Sequence, residues 1–141
     1  MSNEFFLDTS YAIALSVESD EHHQRAEELA EQLLTSQTPI VTTRAVLLEI
    51  GNALSKQRYR KAASDLLNAL EHDPQVEIVS ITDELYQRAL ALFDSRLDKE
   101  WGLLDCASFI VMQQRELVNA LTADEHFAQA GFRALLKDRS T

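Results

Sequence analysis

The chain has 141 residues, 45% of them hydrophobic and 26% charged, and this balance predicts one globular domain spanning residues 1–141. A single cysteine, Cys106, excludes an intramolecular disulfide and any zinc or cluster site built on cysteines. The formal net charge of −10 argues against a protein that holds nucleic acid by bulk positive charge. A nucleic-acid ligand would therefore need a local basic patch or a bound metal.

The hydrophobic pattern is typical of neither a membrane protein nor a secreted one. No apolar run approaches the length of about 20 residues that a membrane-spanning helix needs. The N-terminus lacks a basic start followed by an apolar run, the mark of a signal peptide. We therefore expect a cytoplasmic protein with no membrane partner.

Strands and helices are predicted to alternate along the chain. The apolar run at 5–7 predicts a buried strand, and Ser19 or Asp20 offers an N-cap for the amphipathic helix that follows. Thr43 and Thr82 are predicted to cap two later helices. This alternation favours an α/β fold with a mostly parallel sheet covered on both faces. In chain order we expect strands at about 3–7, 40–42, 76–81, 118–122 and 132–136, and helices at about 20–34, 43–56, 61–71, 82–97, 103–117 and 124–130.

Two aspartates are predicted to lie at the carboxyl ends of strands, outside which open α/β sheets bind their ligands. Asp8 follows the first strand and Asp124 follows the fourth. Taken alone, each is better explained as the cap of the next helix, because an aspartate after a strand commonly accepts hydrogen bonds from free helix amides.

Two further acids occupy unusual places on helices. Glu49 lies at the edge of the apolar stripe that contains Val46 and Ile50, from where its carboxylate can also reach water at the rim. Asp105 lies among apolar residues, where a carboxylate is costly unless it is paired, bound to metal or held by helix-start amides. The alternative for Asp105 is an acid favoured by the dipole at a helix N-terminus.

Together the four acids predict a divalent-cation site. Carboxylates in one pocket repel one another and raise one another's pKa unless a cation lies between them. Oxygen ligands without histidine or cysteine suit Mg²⁺ or Mn²⁺. A metal held in this way supports phosphodiester hydrolysis, because it activates water and neutralises charge on the transferring phosphate. We expect the same four residues to be the metal ligands and the catalytic residues: Asp8, Glu49, Asp105 and Asp124.

Four segments of the chain resemble the PIN-domain nucleases, and among them the VapC-type toxins of prokaryotic toxin–antitoxin pairs. The segments carry the four acids in the family's order and cover nearly the whole chain: FLDTS at 6–10, LEIGNAL at 48–54, WGLLDCASF at 101–109, and ALTADEHF at 120–127 followed by AGF at 130–132. The resemblance implies a PIN-like three-layer α/β/α fold with about five strands. It also implies a Mg²⁺- or Mn²⁺-dependent endoribonuclease, a cognate antitoxin that inhibits it, and a homodimer, which is frequent in the family.

Matched position by position, the resemblance assigns the acidic roles to Asp8, Glu49, Asp105 and Asp124. Thr9 and Thr122 match polar positions that bind the first acid or a metal-bound water. Gly102 stands where relatives often carry serine, which removes a hydroxyl near the site. Asp98 is a candidate fifth acid, although its position is more typical of a solvated helix end. His126 follows the fourth acid and is more typical of a hydrogen-bonded helix residue than of a ligand.

The segment 56–61, called here the basic segment, is the one dense cluster of positive charge in the sequence. It follows the helix that carries Glu49, so it is a candidate for contact with RNA phosphates, with its tyrosine stacking on a base. The alternative is a solvated helix end whose cations are favoured near the helix C-terminus. The candidate RNA-binding residues are Lys56, Arg58, Tyr59, Arg60 and Lys61.

Two other functions stay open at this point. A catalytically silent PIN-like binding module would keep the acids without cleaving RNA. A phosphatase with an aspartate nucleophile after the first strand would need a second aspartate two residues later, where Ser10 stands.

Overall fold

A parallel sheet forms the centre of the structure, a computed structural model that describes residues 3–138. Its strands are β1 Phe5–Leu7, β2 Ile40–Thr43, β3 Val76–Val79, β4 Asn119–Leu121 and β5 Arg133–Ala134. They lie in the order β3-β2-β1-β4-β5, and every neighbouring pair is parallel. The predicted α/β fold with five parallel strands is therefore confirmed.

The register of the central strand decides which side chains meet at the carboxyl edge of the sheet. Leu7 of β1 pairs with Leu121 of β4. The backbone amide of Asp8 donates to the carbonyl oxygen of Leu121 at 3.2 Å. Asp8 and Thr122 directly follow these two strands and therefore leave the sheet side by side.

The helices within residues 3–138 pack in two groups. They are α1 Thr9–Ser16, α2 His23–Ser36, α3 Arg44–Ala53, α4 Gln57–His72, α5 Asp83–Ser95, α6 Leu103–Gln114 and α7 Glu125–Gln129. In one group α1 packs against α2, α3 and α4, and in the other α5 and α7 both pack against α6. With the sheet, these groups make the α/β/α arrangement that the sequence predicts.

Two predicted helix starts are confirmed by their cap hydrogen bonds. Thr43 Oγ1 accepts from the amide of Val46 at 3.1 Å, and Thr82 Oγ1 accepts from the amide of Leu85 at 3.1 Å. The junction between α3 and α4 differs from the prediction, because α3 ends at Ala53 and α4 already begins at 57. The basic segment therefore belongs mainly to the start of α4.

The sequence-based prediction was wrong between β1 and α2. It did not include α1, whose residues are nearly all small or apolar and show no helical alternation of polar and apolar positions. Burial on several sides explains that composition, since α1 packs against three other helices. The predicted N-cap at Ser19 or Asp20 is also wrong, because α2 begins at His23. Asp20 instead accepts from the amide of His22 at 2.8 Å, in the turn before the helix.

Aromatic packing holds the segments that precede and follow α6. The Phe109 ring meets the rings of Trp101 and Phe127 edge-on, with centroid distances of 5.1 and 5.0 Å. All three side chains are buried. The starts of α6 and α7, which carry Asp105 and Asp124, are thereby anchored to one part of the core.

Among the helices within residues 3–138, none is both long enough and apolar enough to cross a membrane.

Candidate active site

The four predicted acids line one cleft of about 390 Å³ at the carboxyl edge of the sheet. They come from the end of β1, the middle of α3, the first turn of α6 and the start of α7. A bridging cation requires this convergence, which the order of the acids in the sequence does not by itself produce. The polar residues lining the cleft are Asp8, Thr9, Ser10, Glu49, Asp105, Asp124 and His126.

Asp8 is the most deeply buried of the four acids, with 6% of the residue exposed. Its Oδ2 accepts from Thr122 Oγ1 at 2.8 Å and from Ser10 Oγ at 3.2 Å. Burial raises the pKa of Asp8 to about 6 against the opposing effect of the Thr122 hydrogen bond, and the negative charges of Asp105 and Asp124 add to the rise. A nearby cation would favour the charged carboxylate and offset this cost.

Two hydroxyls connect Asp8 to the end of β4. Ser10 Oγ lies 2.9 Å from Thr122 Oγ1 and accepts from the amide of Ala123 at 2.9 Å. Thr122 Oγ1 accepts from the amide of Asp124 at 3.0 Å. The side-chain contacts from Ser10 and Asp8 to this strand end join positions 112 to 114 apart in the sequence. They therefore fix Asp8 relative to Asp124.

Glu49 reaches the cleft from α3, where Val46 and Ile50 on the adjacent stripe are buried. Its Oε1 accepts a hydrogen bond from Thr9 Oγ1. The two predicted supporting threonines thus contact different acids, since Thr122 contacts Asp8 and Thr9 contacts Glu49.

Asp105 lies in the first turn of α6, and its Oδ2 accepts from the amide of Gly102 at 3.0 Å. This is the helix-start contact that the alternative interpretation of Asp105 describes. The same side chain lines the cleft, so both interpretations hold together. A Cβ at Gly102 would lie 3.8 Å from Asp105 Oδ2, an ordinary contact. A serine would therefore fit at this position.

Asp124 likewise combines a cap with a place in the cleft. It is the N-cap of α7, and its Oδ1 accepts from the amide of His126 at 2.9 Å. The alternative explanation of Asp124 as a helix cap is thus correct, and the same carboxylate also faces the other acids.

His126 has a larger place in the site than the sequence suggested. Its Nδ1 lies 3.0 Å from Asp105 Oδ2 and 3.5 Å from Asp124 Oδ1. The hydrogen bond to Asp105, with the charge of Asp124 adding to it, raises the pKa of His126 above its usual value. The one sequence signal for this role is a histidine in the first turn of a helix that an acid caps. Ser10 was likewise not predicted as a site residue, and its contacts arise only from the parallel pairing of β1 with β4.

The donor set in the cleft fits a hard divalent cation. Asp105, Asp124 and His126 offer ligand atoms that lie within 4.8 Å of one another. Because His126 Nδ1 already contacts Asp105 Oδ2, the carboxylate oxygens are the main candidates for ligands. Within residues 3–138, no hydrogen bond engages Asp105 Oδ1, Asp124 Oδ2 or Glu49 Oε2. Each of these acids therefore has one oxygen held by the protein and one available to a cation.

Asp98, the candidate fifth acid, is not part of this cleft. It forms a two-pronged ion pair with Arg96, with nitrogen–oxygen distances of 2.9 and 3.0 Å. The hydrogen bonds from Arg96 lower the pKa of Asp98 to about 2. This geometry agrees with the interpretation of Asp98 as a solvated residue at a helix end.

The basic segment lies outside the cleft lining and makes local contacts. Arg60 Nη1 donates to the carbonyl of Ser55 at 2.9 Å, Lys61 pairs with Asp65 at 3.3 Å, and the Arg58 guanidinium lies over the ring of Tyr59. Most of these cations lie in the first turns of α4, where the helix dipole disfavours positive charge. Stabilisation by the dipole at a helix C-terminus therefore does not account for them.

Comparisons with known proteins give a consistent result. A sequence profile of the PIN domain matches residues 5–133. The 23S rRNA-specific endonuclease VapC20 of Mycobacterium tuberculosis is 28% identical over 127 residues, which cover 90% of this chain and 94% of VapC20. The crystal structure of VapC20, described as a sarcin-ricin loop cleaving toxin, has a TM-score of 0.79 and covers 92% of this chain and 96% of the solved chain. VapBC2 from Rickettsia felis, solved bound to a DNA fragment from its promoter, shares the fold with a TM-score of 0.65 at 14% identity, covering 90% of this chain and 92% of the solved one.

Proposed function

Because the chain belongs to the PIN domain family, we propose that it is a Mg²⁺- or Mn²⁺-dependent endoribonuclease, acting in the cytoplasm as the toxin of a toxin–antitoxin pair. The observation that carries the proposal is the convergence of Asp8, Glu49, Asp105 and Asp124 in one cleft. The similarity to a 23S rRNA-specific endonuclease across nearly the whole of both chains supports the same activity.

Each part of the cleft has a role in this reaction. Asp8, Glu49, Asp105 and Asp124 hold the cation through carboxylate oxygens. When bound, a divalent cation supplies neutralisation of phosphate charge and a more acidic water for attack. The Ser10 and Thr122 hydroxyls hold Asp8 in one orientation, and Thr9 does the same for Glu49. The protein therefore provides a rigid frame of carboxylates. The scissile phosphate can be oriented in this frame only when a cation lies between the phosphate and the acids.

The basic segment is the proposed contact for the RNA backbone. The protein is acidic overall, so RNA must be met by the cation and by local positive charge. The side chains of Lys56, Arg58, Arg60 and Lys61 belong to exposed residues directly beyond α3, the helix that carries Glu49. Tyr59 is half-buried, packs against the core and lies beside Arg58, so the pair offers a stacking surface for a base.

The proposed protein partner is an antitoxin that covers the acid cleft. An arginine is the side chain that suits the task, because its guanidinium can bind a carboxylate with two hydrogen bonds. A homodimer is a further proposal, which the family resemblance alone supports.

Cleavage of purified RNA tests the proposed function. Ribosomal RNA containing the 23S species is incubated with the protein in Mg²⁺ or Mn²⁺, and new 5′ ends are mapped by sequencing. We expect discrete cuts that disappear with EDTA and in the Asp8→Asn variant. Cuts that persist undiminished in both conditions would show that another activity is responsible.

The same preparation separates the two alternatives. A catalytically silent module would be stabilised by the cation without cutting RNA. A phosphatase would hydrolyse a small phosphate ester such as p-nitrophenyl phosphate, and Ser10 argues against it because the second aspartate is missing there.

A further inference from the structure

We propose that His126 is a positioning residue that orients the carboxylates of Asp105 and Asp124 toward the divalent cation. The inference rests on the proposed metal-dependent function and adds a residue to it. His126 acts through the two acids and not on the RNA or the cation.

His126 contacts both acids with different parts of the residue. Its ring Nδ1 lies 3.0 Å from Asp105 Oδ2, and its backbone amide donates to Asp124 Oδ1 at 2.9 Å. The ring nitrogen is also 3.5 Å from Asp124 Oδ1. One residue therefore links the start of α6 to the start of α7, the two elements that bring these acids into the cleft.

At Asp105 and at Asp124, these contacts hold one oxygen of the carboxylate and not the other. Asp105 Oδ2 already accepts from the amide of Gly102 at 3.0 Å, so with His126 it has two donors. Within residues 3–138, Asp105 Oδ1 and Asp124 Oδ2 have no hydrogen-bond partner. A carboxylate held through one oxygen cannot rotate freely, and the other oxygen is presented in a fixed direction. Hydrogen-bonded acids of this kind are the usual partners of metal ions in proteins.

The anchoring of α7 explains how the ring keeps its place. Phe127, the next residue, is completely buried and packs edge-on against Phe109 of α6. The backbone at 126 is therefore fixed to the core, and the ring reaches Asp105 as a neutral or a charged imidazole, since a hydrogen on Nδ1 suffices in either form.

Substitutions at 126 separate the donor from the rest of the ring. In His126→Asn the amide nitrogen is the same number of bonds from Cα as Nδ1, so a donor to Asp105 is retained. In His126→Ala the donor is lost while the backbone contact to Asp124 remains. His72 provides the matched control, because it is an exposed histidine on α4, away from the cleft, whose Nδ1 contacts the carbonyl of Asn68.

The experiment measures Mn²⁺ affinity by calorimetry on the full-length wild type, His126→Ala, His126→Asn and His72→Ala. We expect His126→Ala to weaken Mn²⁺ binding about 10–100-fold, the usual effect of losing a hydrogen bond to a metal ligand. We expect His126→Asn to restore most of the affinity and His72→Ala to match the wild type. RNA cleavage by His126→Ala should need a higher Mn²⁺ concentration than the wild type to reach half of its maximal rate.

Three outcomes would overturn the assignment. The first is equal Mn²⁺ affinity in wild type and His126→Ala, and the second is an asparagine variant no better than alanine. The third is a nitrogen coupling to bound Mn²⁺ in pulsed electron paramagnetic resonance that His126→Ala removes, because that would make His126 a direct ligand. If the wild type itself neither binds Mn²⁺ nor cleaves RNA, the proposed function fails as well; if it does both while His126→Ala is unchanged, only the role of His126 fails.

Discussion

The acid cleft and the basic segment carry opposite charge and are built in opposite ways. Asp8 is tied into the cleft by hydroxyls on residues that include Thr122, 114 positions away in the sequence. The cations of the basic segment contact near neighbours, as in the ion pair of Lys61 with Asp65 four positions on. The carboxylates of the cleft are therefore preorganised by contacts between distant parts of the chain, whereas the basic segment offers exposed charge. Changes in the cleft should therefore have large, specific effects, and changes in the basic segment should have small effects that depend on salt.

The largest expected effect is the loss of RNA cleavage when one acid is neutralised. Asp105→Asn keeps the shape of the side chain but removes the charge, so we expect kcat/KM to fall by about 10²–10³-fold, the size of losing one preorganised electrostatic contact. Asp98→Asn is the matched control, because Asp98 pairs with Arg96 outside the cleft. Equal losses of kcat/KM in Asp105→Asn and Asp98→Asn, or no loss in either, would contradict this comparison. It assigns Asp105 to the preorganised cleft and Asp98 to the solvated surface.

The buried charge of Asp8 should make stability depend on pH when no divalent cation is present. The pKa of Asp8 is raised from 3.8 to about 6 in the folded state, so the folded protein binds this proton more tightly than the unfolded chain. Its contribution to the free energy of unfolding is therefore complete below pH 3.8 and is lost as the pH rises to about 6, a change of about 3 kcal/mol.

Urea unfolding in EDTA at several pH values measures this change. Asp8→Asn cannot ionise, so the stability of the variant relative to the wild type should grow between pH 4 and pH 7. Adding Mn²⁺ at pH 7 should stabilise the wild type and not the variant, since ligand binding to the folded state alone raises its stability. A difference between the two proteins that stays constant with pH would show that Asp8 is not buried as a costly charge.

The hydroxyl of Thr122 tests whether the cleft depends on its long-range contacts. Thr122→Val keeps the shape of this buried side chain but removes the donor to Asp8 and the acceptor for the amide of Asp124. We expect a loss of about 1–3 kcal/mol in the free energy of unfolding, the cost of leaving buried polar groups unpaired. Thr122→Ser retains the hydroxyl but loses the methyl group, and it is the control. We expect it to destabilise less than valine, which keeps that methyl group; a valine variant as stable as the wild type would contradict the role of the hydroxyl.

The smallest effect is expected at the basic segment, where charge is exposed and screened by salt. Arg58→Glu together with Arg60→Glu should raise KM for RNA at low salt and leave kcat nearly unchanged. The slope of log KM against log salt should decrease by about one for each phosphate contact that is lost. Unchanged KM and slope would indicate that the RNA is bound through the cleft and its cation alone. A fall in kcat with unchanged KM would place these residues closer to the chemistry than we propose.

Much of the fold could be predicted because its signals are local. The apolar run before Asp8, the capping threonines at 43 and 82, and the alternation of strands and helices are patterns within a few residues. The helix α1 could not be predicted in this way, because it is buried on several sides and so lacks a polar face. The start of α2 was misplaced because Asp20 forms a turn with the same hydrogen bond that would mark a cap.

By itself, the sequence determined the types of the strands and of the helices from α2 onward, and the order of the four acids. It also placed Asp8 and Asp124 at strand ends and Asp105 in the first turn of a helix. Only the tertiary structure decided that His126 joins Asp105 and Asp124, that Ser10 and Thr122 hold Asp8, and that Asp98 stays outside. The physical reason is that caps and amphipathic stripes arise from neighbours along the chain. Contacts between β1 and the end of β4 arise from strand register and packing, which bring together residues more than 100 positions apart.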